Sequence, residues 1–360
     1  MLLGLLLHAF MSYTSWDLFP HFVVEKDSSV IYDYTVLIIH TFRMPIFFVL
    51  AGFFAALLYL KRGNIGMIKN RFFRIFLPLL VSYLLIAPLT KMLFMHYAIG
   101  ISWDEIVNST KDFSIFNNLK LSHLWFLYYL FIIYLIVHFF KIIKIPFLSS
   151  FFVWCPKIID FKYSFLLIFL LSILSFCFVL PQNVGMIDTA IEFIPNMFIL
   201  LSYLVYFLFG FMLFSYNNKL HSIFSNWKIY LLFGVLLSVL YCYLFTLSIR
   251  DNNFYKLAAS SYLCCLISWC YIYGFLGLFL NHFNINSKLV ALIGKSSYWV
   301  YLLHLPIIII CAGFLVNYSI PTLLKAILAI TFTYSVLLIA YKLFVEKTII
   351  GVFLNGKSKD

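Results

Sequence analysis

The chain has 360 residues, of which 64% are hydrophobic and 11% charged, with a formal net charge of +12. Soluble domains run at about 45–50% apolar and about 25% charged, so a water-soluble globule is excluded: there is too little polar surface to cover this much apolar chain. The basic excess would point a soluble protein toward nucleic acid or acidic partners, but here its distribution along the chain matters more than its size.

Apolar stretches fall at residues 1–16, 35–60, 75–97, 123–140, 163–180, 195–214, 228–248, 258–280, 297–316 and 322–345. Each is near the ~20 residues that a helix needs to cross hydrocarbon. The runs are continuous, without period-two alternation, which favours helices over a β-barrel. The expected fold is therefore all-α and integral to the membrane, a bundle of about ten transmembrane helices with both termini cytoplasmic. Residues 1–347 form a single transmembrane domain, and 348–360 a cytoplasmic tail. The orientation rests on the Lys and Arg residues, which are retained on the cytoplasmic side. They gather in alternate links: Lys61, Arg62, Lys69, Arg71 and Arg74; Lys141, Lys144, Lys157 and Lys162; Lys219 and Lys228; Lys288 and Lys295; Lys342, Lys347, Lys357 and Lys359.

Two outer links, 17–34 and 98–122, are long enough to shape a mouth, and they carry Asp17, Glu25, Asp27, Asp33, Asp104, Glu105 and Asp112. The cysteines, Cys155 apart, lie within apolar runs and lack metal-ligand spacing, so they read as small core hydrophobes. The first stretch begins at Met1 without a charged flank and is short at its inner end. It has neither the basic n-region nor the cleavage site of a signal peptide. The expectation is a start further upstream and an N-terminal truncation.

Ionisable side chains at bilayer depth are costly and mark functional sites by default. His8, within Leu-Leu-Leu-His-Ala-Phe, falls near the middle of the first stretch; it reads as a general base or as a packing histidine bonded to a neighbouring helix. His40 and Arg43 share a helix face. Arg43 calls for an anion, a carboxylate or a phosphate, unless it snorkels to the outer headgroups, and His40 could equally be an interfacial hydrogen-bonding residue. The inner link from Lys61 to Arg74 is dense in cations and holds Gly63 and Gly66, which would let backbone approach a ligand. Within it Arg71 and Arg74, one helix turn apart, could grip phosphates, or the whole link could be the positive-inside signal alone. His123 opens the fourth stretch beside Trp125, Tyr128 and Tyr129, an expected aromatic belt. His304 precedes Pro306; it lines the same cavity or bonds a carbonyl that the proline frees. No P-loop, dinucleotide fingerprint or metal-ligand cluster occurs in the sequence, so no metal and no nucleic-acid partner is expected. Gly52 and Gly210 read as close helix contacts.

Taken in order, several segments resemble acyltransferase family 3 of bacterial integral membrane proteins, the branch with the periplasmic-glucan succinyltransferase and the O-antigen O-acetyltransferases. They are Leu-Leu-Gly-Leu-Leu-Leu-His8-Ala, His40-Thr-Phe-Arg43-Met-Pro45 through Gly52-Phe-Phe, Lys69-Asn70-Arg71-Phe-Phe-Arg74, His123-Leu-Trp125-Phe-Leu-Tyr128 and Ser297-Tyr298 through His304-Leu-Pro306. The resemblance implies ten core helices in a bacterial cytoplasmic (inner) membrane. It also implies transfer of an acyl group, acetyl or succinyl, from cytoplasmic acyl-coenzyme A to a hydroxyl of an extracytoplasmic glycan, with no permanently bound cofactor. The family signature is an arginine, ten residues and a histidine on the first helix. His8 matches the histidine, and the arginine would fall before Met1.

On that resemblance, Lys69, Arg71 and Arg74 are expected to hold the coenzyme A phosphates at the inner mouth. His8 would act as general base, Arg43 would stabilise the oxyanion or orient the sugar, and His40, His123 and His304 are further catalytic candidates. Direct attack and an acyl-histidine intermediate both remain open. A polysaccharide or lipid flippase is the competing class, although no paired broken helices suggest it, and a nonenzymatic scaffold of an envelope complex is a third.

Overall fold

The structure, a computed structural model, describes residues 1–143, 164–283 and 287–355 except Asp17, Val24 and Lys26. Lys144, Cys155, Lys157, Lys162, Lys357 and Lys359, and the side chain of Lys141, lie outside the described residues. Those described form helices and loops, with no strand among them. In chain order the α-helices longer than four residues are α1 (Leu2–Met11), α2 (Val30–Arg71), α3 (Leu77–Phe94), α4 (Trp103–Lys111), α5 (Trp125–Ile143), α6 (Ser164–Val179), α7 (Met197–Leu213), α8 (Trp227–Asp251), α9 (Phe254–His282), α10 (Lys288–Leu315), α11 (Thr322–Phe344) and α12 (Ile349–Asn355). Among the described residues, eight helical stretches are long and apolar enough to cross a membrane.

The longest of the eight, Val30–Ile99, has 70 residues. At about 1.5 Å per residue a straight helix of that length would far exceed a ~30 Å hydrocarbon core. Gly63 breaks it, with φ 69° and ψ −179°, a backbone conformation that an L side chain rarely adopts. Contacts with α5 then run in reverse. Tyr134 OH donates to Ala51 O, Asn64 Nδ2 donates to His138 O, and further along Tyr83 OH donates to Leu119 O just ahead of α5. Two antiparallel limbs result, the second continuing through a π-helical turn at Phe72–Phe76 into α3.

Helix starts follow their capping residues. Asn196 Oδ1 accepts from Phe198 N and Ile199 N at the head of α7, and Asn253 Oδ1 accepts from Tyr255 N and Lys256 N at the head of α9. The first helix ends at Met11, short of the expected residue 16, and the reason is local. Thr14 Oγ1 donates to Met11 O, and the buried Asp33 carboxylate accepts from Ser15 N (2.8 Å) and Trp16 N (3.0 Å), drawing the chain off the helix axis. The outer link 98–122 contains a helix, α4, capped by Ser102 Oγ. The segment expected as a tail carries α12, which packs beside α10.

The first limb of α2 forms the axis of the bundle, packed against α1, α5, α7 and α9. Large apolar side chains face outward on α3 (Leu84, Leu85), α8 (Leu232, Val239) and α11 (Phe332, Leu343). In water such faces would drive aggregation, whereas in a bilayer they are the solvated surface. Cys242, Cys264, Cys265, Cys270 and Cys311 are buried as expected of core residues, but Cys177 is exposed, on the outer side of α6. The loop after α1 is tied to α11 by a buried ion pair, Lys325 Nζ to Glu25 Oε2 at 2.7 Å.

Candidate active site

A cavity of about 830 Å³ opens between α1, α2, α3, the start of α5 and α10, roofed by the segments 18–22 and 186–191. His8, His40, Arg43, His123 and His304 all line it. Residues from four helices and nearly 300 positions apart are thus gathered at one place.

Three imidazoles form a row. The ring centroids of His8 and His304 lie 5.2 Å apart, and those of His304 and His123 also 5.2 Å. Hydrogen bonds to carbonyls set two of the tautomers, because a carbonyl can only accept and the nitrogen facing it must carry the proton. His304 Nδ1 donates to Tyr301 O (2.7 Å) and Val300 O (3.2 Å), and His123 Nε2 donates to Leu302 O (3.1 Å). In the neutral rings, His304 Nε2 and His123 Nδ1 are left as lone-pair acceptors, and both atoms are buried without a partner. His8 Nδ1 is likewise buried and unpartnered.

The His123 bond explains a detail of α10. Pro306 has no N–H to offer the carbonyl four residues before it, that of Leu302. His123 satisfies this freed acceptor, whereas His304 bonds its own helix one turn back. Tyr301 OH donates to His123 O at 2.6 Å and fixes the start of α5 from the same side.

Arg43 points into the cavity beside Gly4, where an added Cβ would come within 3.2 Å of Nη1. Its Nε is buried without a partner, and among the described residues it forms no ion pair. A guanidinium so placed is complementary to a ligand anion; it does not snorkel to the headgroups. His40 serves the wall, since its Nε2 donates to Ile187 O at 3.0 Å and anchors the loop before α7. That loop brings in Asp188, which sequence reasoning missed. Its backbone N–H donates to Gln182 Oε1, its Oδ1 accepts from Thr189 N, and burial raises its carboxyl pKa above the ordinary value. A short loop between two apolar stretches with a lone Asp beside a Thr was the available signal.

The cations of the Lys61–Arg74 segment divide. Lys69 and Arg74 line a separate pocket of about 360 Å³ with Arg62, Asn70 and residues of α12. Arg71 turns inward instead, its Cζ 4.9 Å from the centroid of the Tyr134 ring, a cation–π contact. The two arginines therefore face different surroundings, because the wider π-helical turn that follows Arg71 changes the angular spacing. Gly63 and Gly66 serve the fold here. Gly63 makes the break, and Gly66 leaves room for Arg62, whose Cβ would lie 2.7 Å from an added Cβ. Tyr298, which lines the main cavity, donates from its OH to Arg74 O at 2.9 Å, so it links the wall of the main cavity to a residue of the second pocket.

Outward apolar helices around a cavity lined by imidazoles and by a guanidinium without an ion pair among the described residues define a multi-span helical membrane protein with an internal polar site. Residues 1–342 match the family model described as "Acyltransferase domain". The chain belongs to acyltransferase family 3, and a membrane-embedded acyltransferase fits both the match and the fold. No curated protein and no solved structure matches it.

Proposed function

We propose that this protein transfers an acyl group, acetyl or succinyl, from cytoplasmic acyl-coenzyme A to a hydroxyl of a cell-envelope glycan, across a bacterial inner membrane. The observation that carries the reading is the pairing, in one cavity, of the His8 imidazole with the unpaired Arg43 guanidinium. The break at Gly63 divides Val30–Ile99 into two limbs; read as two passes, and with the shorter apolar helix α1 counted as part of a further one, they bring the total to ten, which puts both termini on the cytoplasmic side. The basic pocket of Arg62, Lys69 and Arg74 then faces the cytoplasm, and the roof of the cavity faces outward.

Donor phosphates sit on Lys69 and Arg74, where charge-assisted hydrogen bonds hold them. Arg71 lies deeper, beside the path that the pantetheine arm takes past Tyr298. The acceptor enters from the roof. His8 lines the cavity and its Nδ1 is buried, which leaves Nε2 as the nitrogen to meet the acceptor and remove the hydroxyl proton. The hydroxyl oxygen attacks the thioester carbonyl, Arg43 stabilises the oxyanion, and the departing thiolate takes the proton back from His8. Coenzyme A and the acyl ester are the products.

The test uses the full chain in proteoliposomes with radiolabelled acetyl-coenzyme A outside and glycan extracted from the source envelope inside. Label is expected in the glycan, and His8→Ala is expected to abolish it at equal protein. Label transfer that survives in His8→Ala removes the base from His8, and glycan movement without label transfer would establish a transporter.

A further inference from the structure

Nucleophile-activating bases are commonly held by a third group that fixes their tautomer and stabilises the charged ring. In hydrolase triads that group is a carboxylate. Among the described residues, no carboxylate bonds to any of the three imidazoles. Arg43 and His40 line the same cavity as His8.

We propose that His304 takes the carboxylate's place: its Nε2 accepts from His8 Nδ1–H, holding His8 in the tautomer that leaves Nε2 basic toward the cavity. This rests on the reading of His8 as the base. Three observations converge on it. The His304 tautomer is fixed by two backbone carbonyls, which makes its Nε2 an acceptor independently of His8. That acceptor and His8 Nδ1 are both buried and both unpartnered, which is costly for each alone. The ring centroids are 5.2 Å apart, a separation at which a nitrogen of one imidazole can reach a nitrogen of the other.

The chemistry follows from the charge. When His8 takes the acceptor's proton it becomes an imidazolium next to the Arg43 guanidinium, an unfavourable neighbour in a desolvated cavity. A neutral imidazole that accepts from Nδ1–H spreads the new charge away from Arg43 without introducing an anion that would pair with the guanidinium and disable it. His304 is thus a positioning residue, acting through His8.

The experiment reads the tautomer directly. The full chain is labelled with ¹⁵N-histidine in lipid nanodiscs, with His8 assigned by the loss of its signals in His8→Asn. In the wild type, His8 is expected to carry its proton on Nδ1. His304→Gln, whose amide oxygen reaches about as far as Nε2, keeps that tautomer, and His304→Leu loses it. With acetyl-coenzyme A as donor probe, kcat falls by roughly 10²-fold in His304→Leu and recovers at least about tenfold in His304→Gln, while KM for the donor is little changed. A wild-type His8 protonated on Nε2, or the same tautomer in all three proteins, overturns the proposal. Because the spectrum needs no turnover, a wild type that transfers no acyl group but shows the expected tautomers removes the functional reading and leaves the orientation of His8 in place.

Discussion

Gly52 and Gly210 bring two helix backbones into direct contact: a Cβ built on Gly52 would lie 1.9 Å from Phe207 O, and one on Gly210 would lie 1.8 Å from Val49 O. This crossing of α2 and α7 sets the axial helix at a fixed distance from the back wall, and with it the face that carries His40 and Arg43. Gly52→Ala and Gly210→Ala are each expected to destabilise by about 1–3 kcal/mol, since backbone cannot yield as a flexible side chain can. Gly294→Ala is the control. Its Cβ meets nothing within 4 Å, so the helix-propensity gain of about 1 kcal/mol should appear unopposed. Thermal unfolding in detergent compares the three.

His123 and Pro306 are coupled through the Leu302 carbonyl. His123→Leu leaves that carbonyl buried and unsatisfied, at a cost of about 1–3 kcal/mol. Pro306→Ala restores an N–H four residues on, which can satisfy the carbonyl in place of His123. The double variant should therefore lose less stability than the sum of the singles, and a double-mutant cycle on the unfolding midpoints measures the difference. Additive midpoints would remove the coupling.

Asp188 gives a pH dependence of known sign. Its carboxyl pKa is raised by burial in the folded protein, so folding favours the protonated form. Its contribution is fully present below the unfolded pKa and is lost as pH rises through the folded one. Asp188→Asn keeps an oxygen for Thr189 N and cannot ionise. The variant should be more stable than the wild type at neutral pH, and the gap should close as the pH is lowered toward the ordinary carboxylate range. A midpoint difference constant from acid to neutral pH would contradict this.

The division of the inner cations predicts a division of kinetic effects. Lys69→Ala and Arg74→Ala, each removing a charged hydrogen-bond donor from the inner pocket, should raise KM for the acyl donor by about 10- to 100-fold with kcat nearly unchanged. Arg71→Ala, which loses its place on Tyr134, should lower kcat as well. Initial rates over a range of acetyl-coenzyme A concentrations separate the two patterns, and equal effects at Arg71 and Arg74 would mean that they act as one clamp after all.

The apolar stretches and the scarcity of charge established helices and membrane solvation, because no other medium satisfies so much apolar surface and its backbone together. The same scarcity made His8, His40, Arg43, His123 and His304 stand out: an ionisable group at bilayer depth must face inward. That all five meet in one cavity, however, depended on how α1, α2, α5 and α10 pack, and no local pattern encodes that. The part each plays was decided later still. Pro306 could be read from the chain, but not that His123 would hold the carbonyl it frees, nor that Gly63 would turn one long apolar run into two limbs. Arg71 and Arg74 looked like partners at helical spacing until a π-helical turn separated them, and Asp188 acquired its place only when His40 anchored its loop. Composition and periodicity act over a few residues and fix the solvent and the element, whereas tautomers, bare acceptors and shared cavities arise from contacts between helices distant in sequence, and only the assembled bundle specifies those.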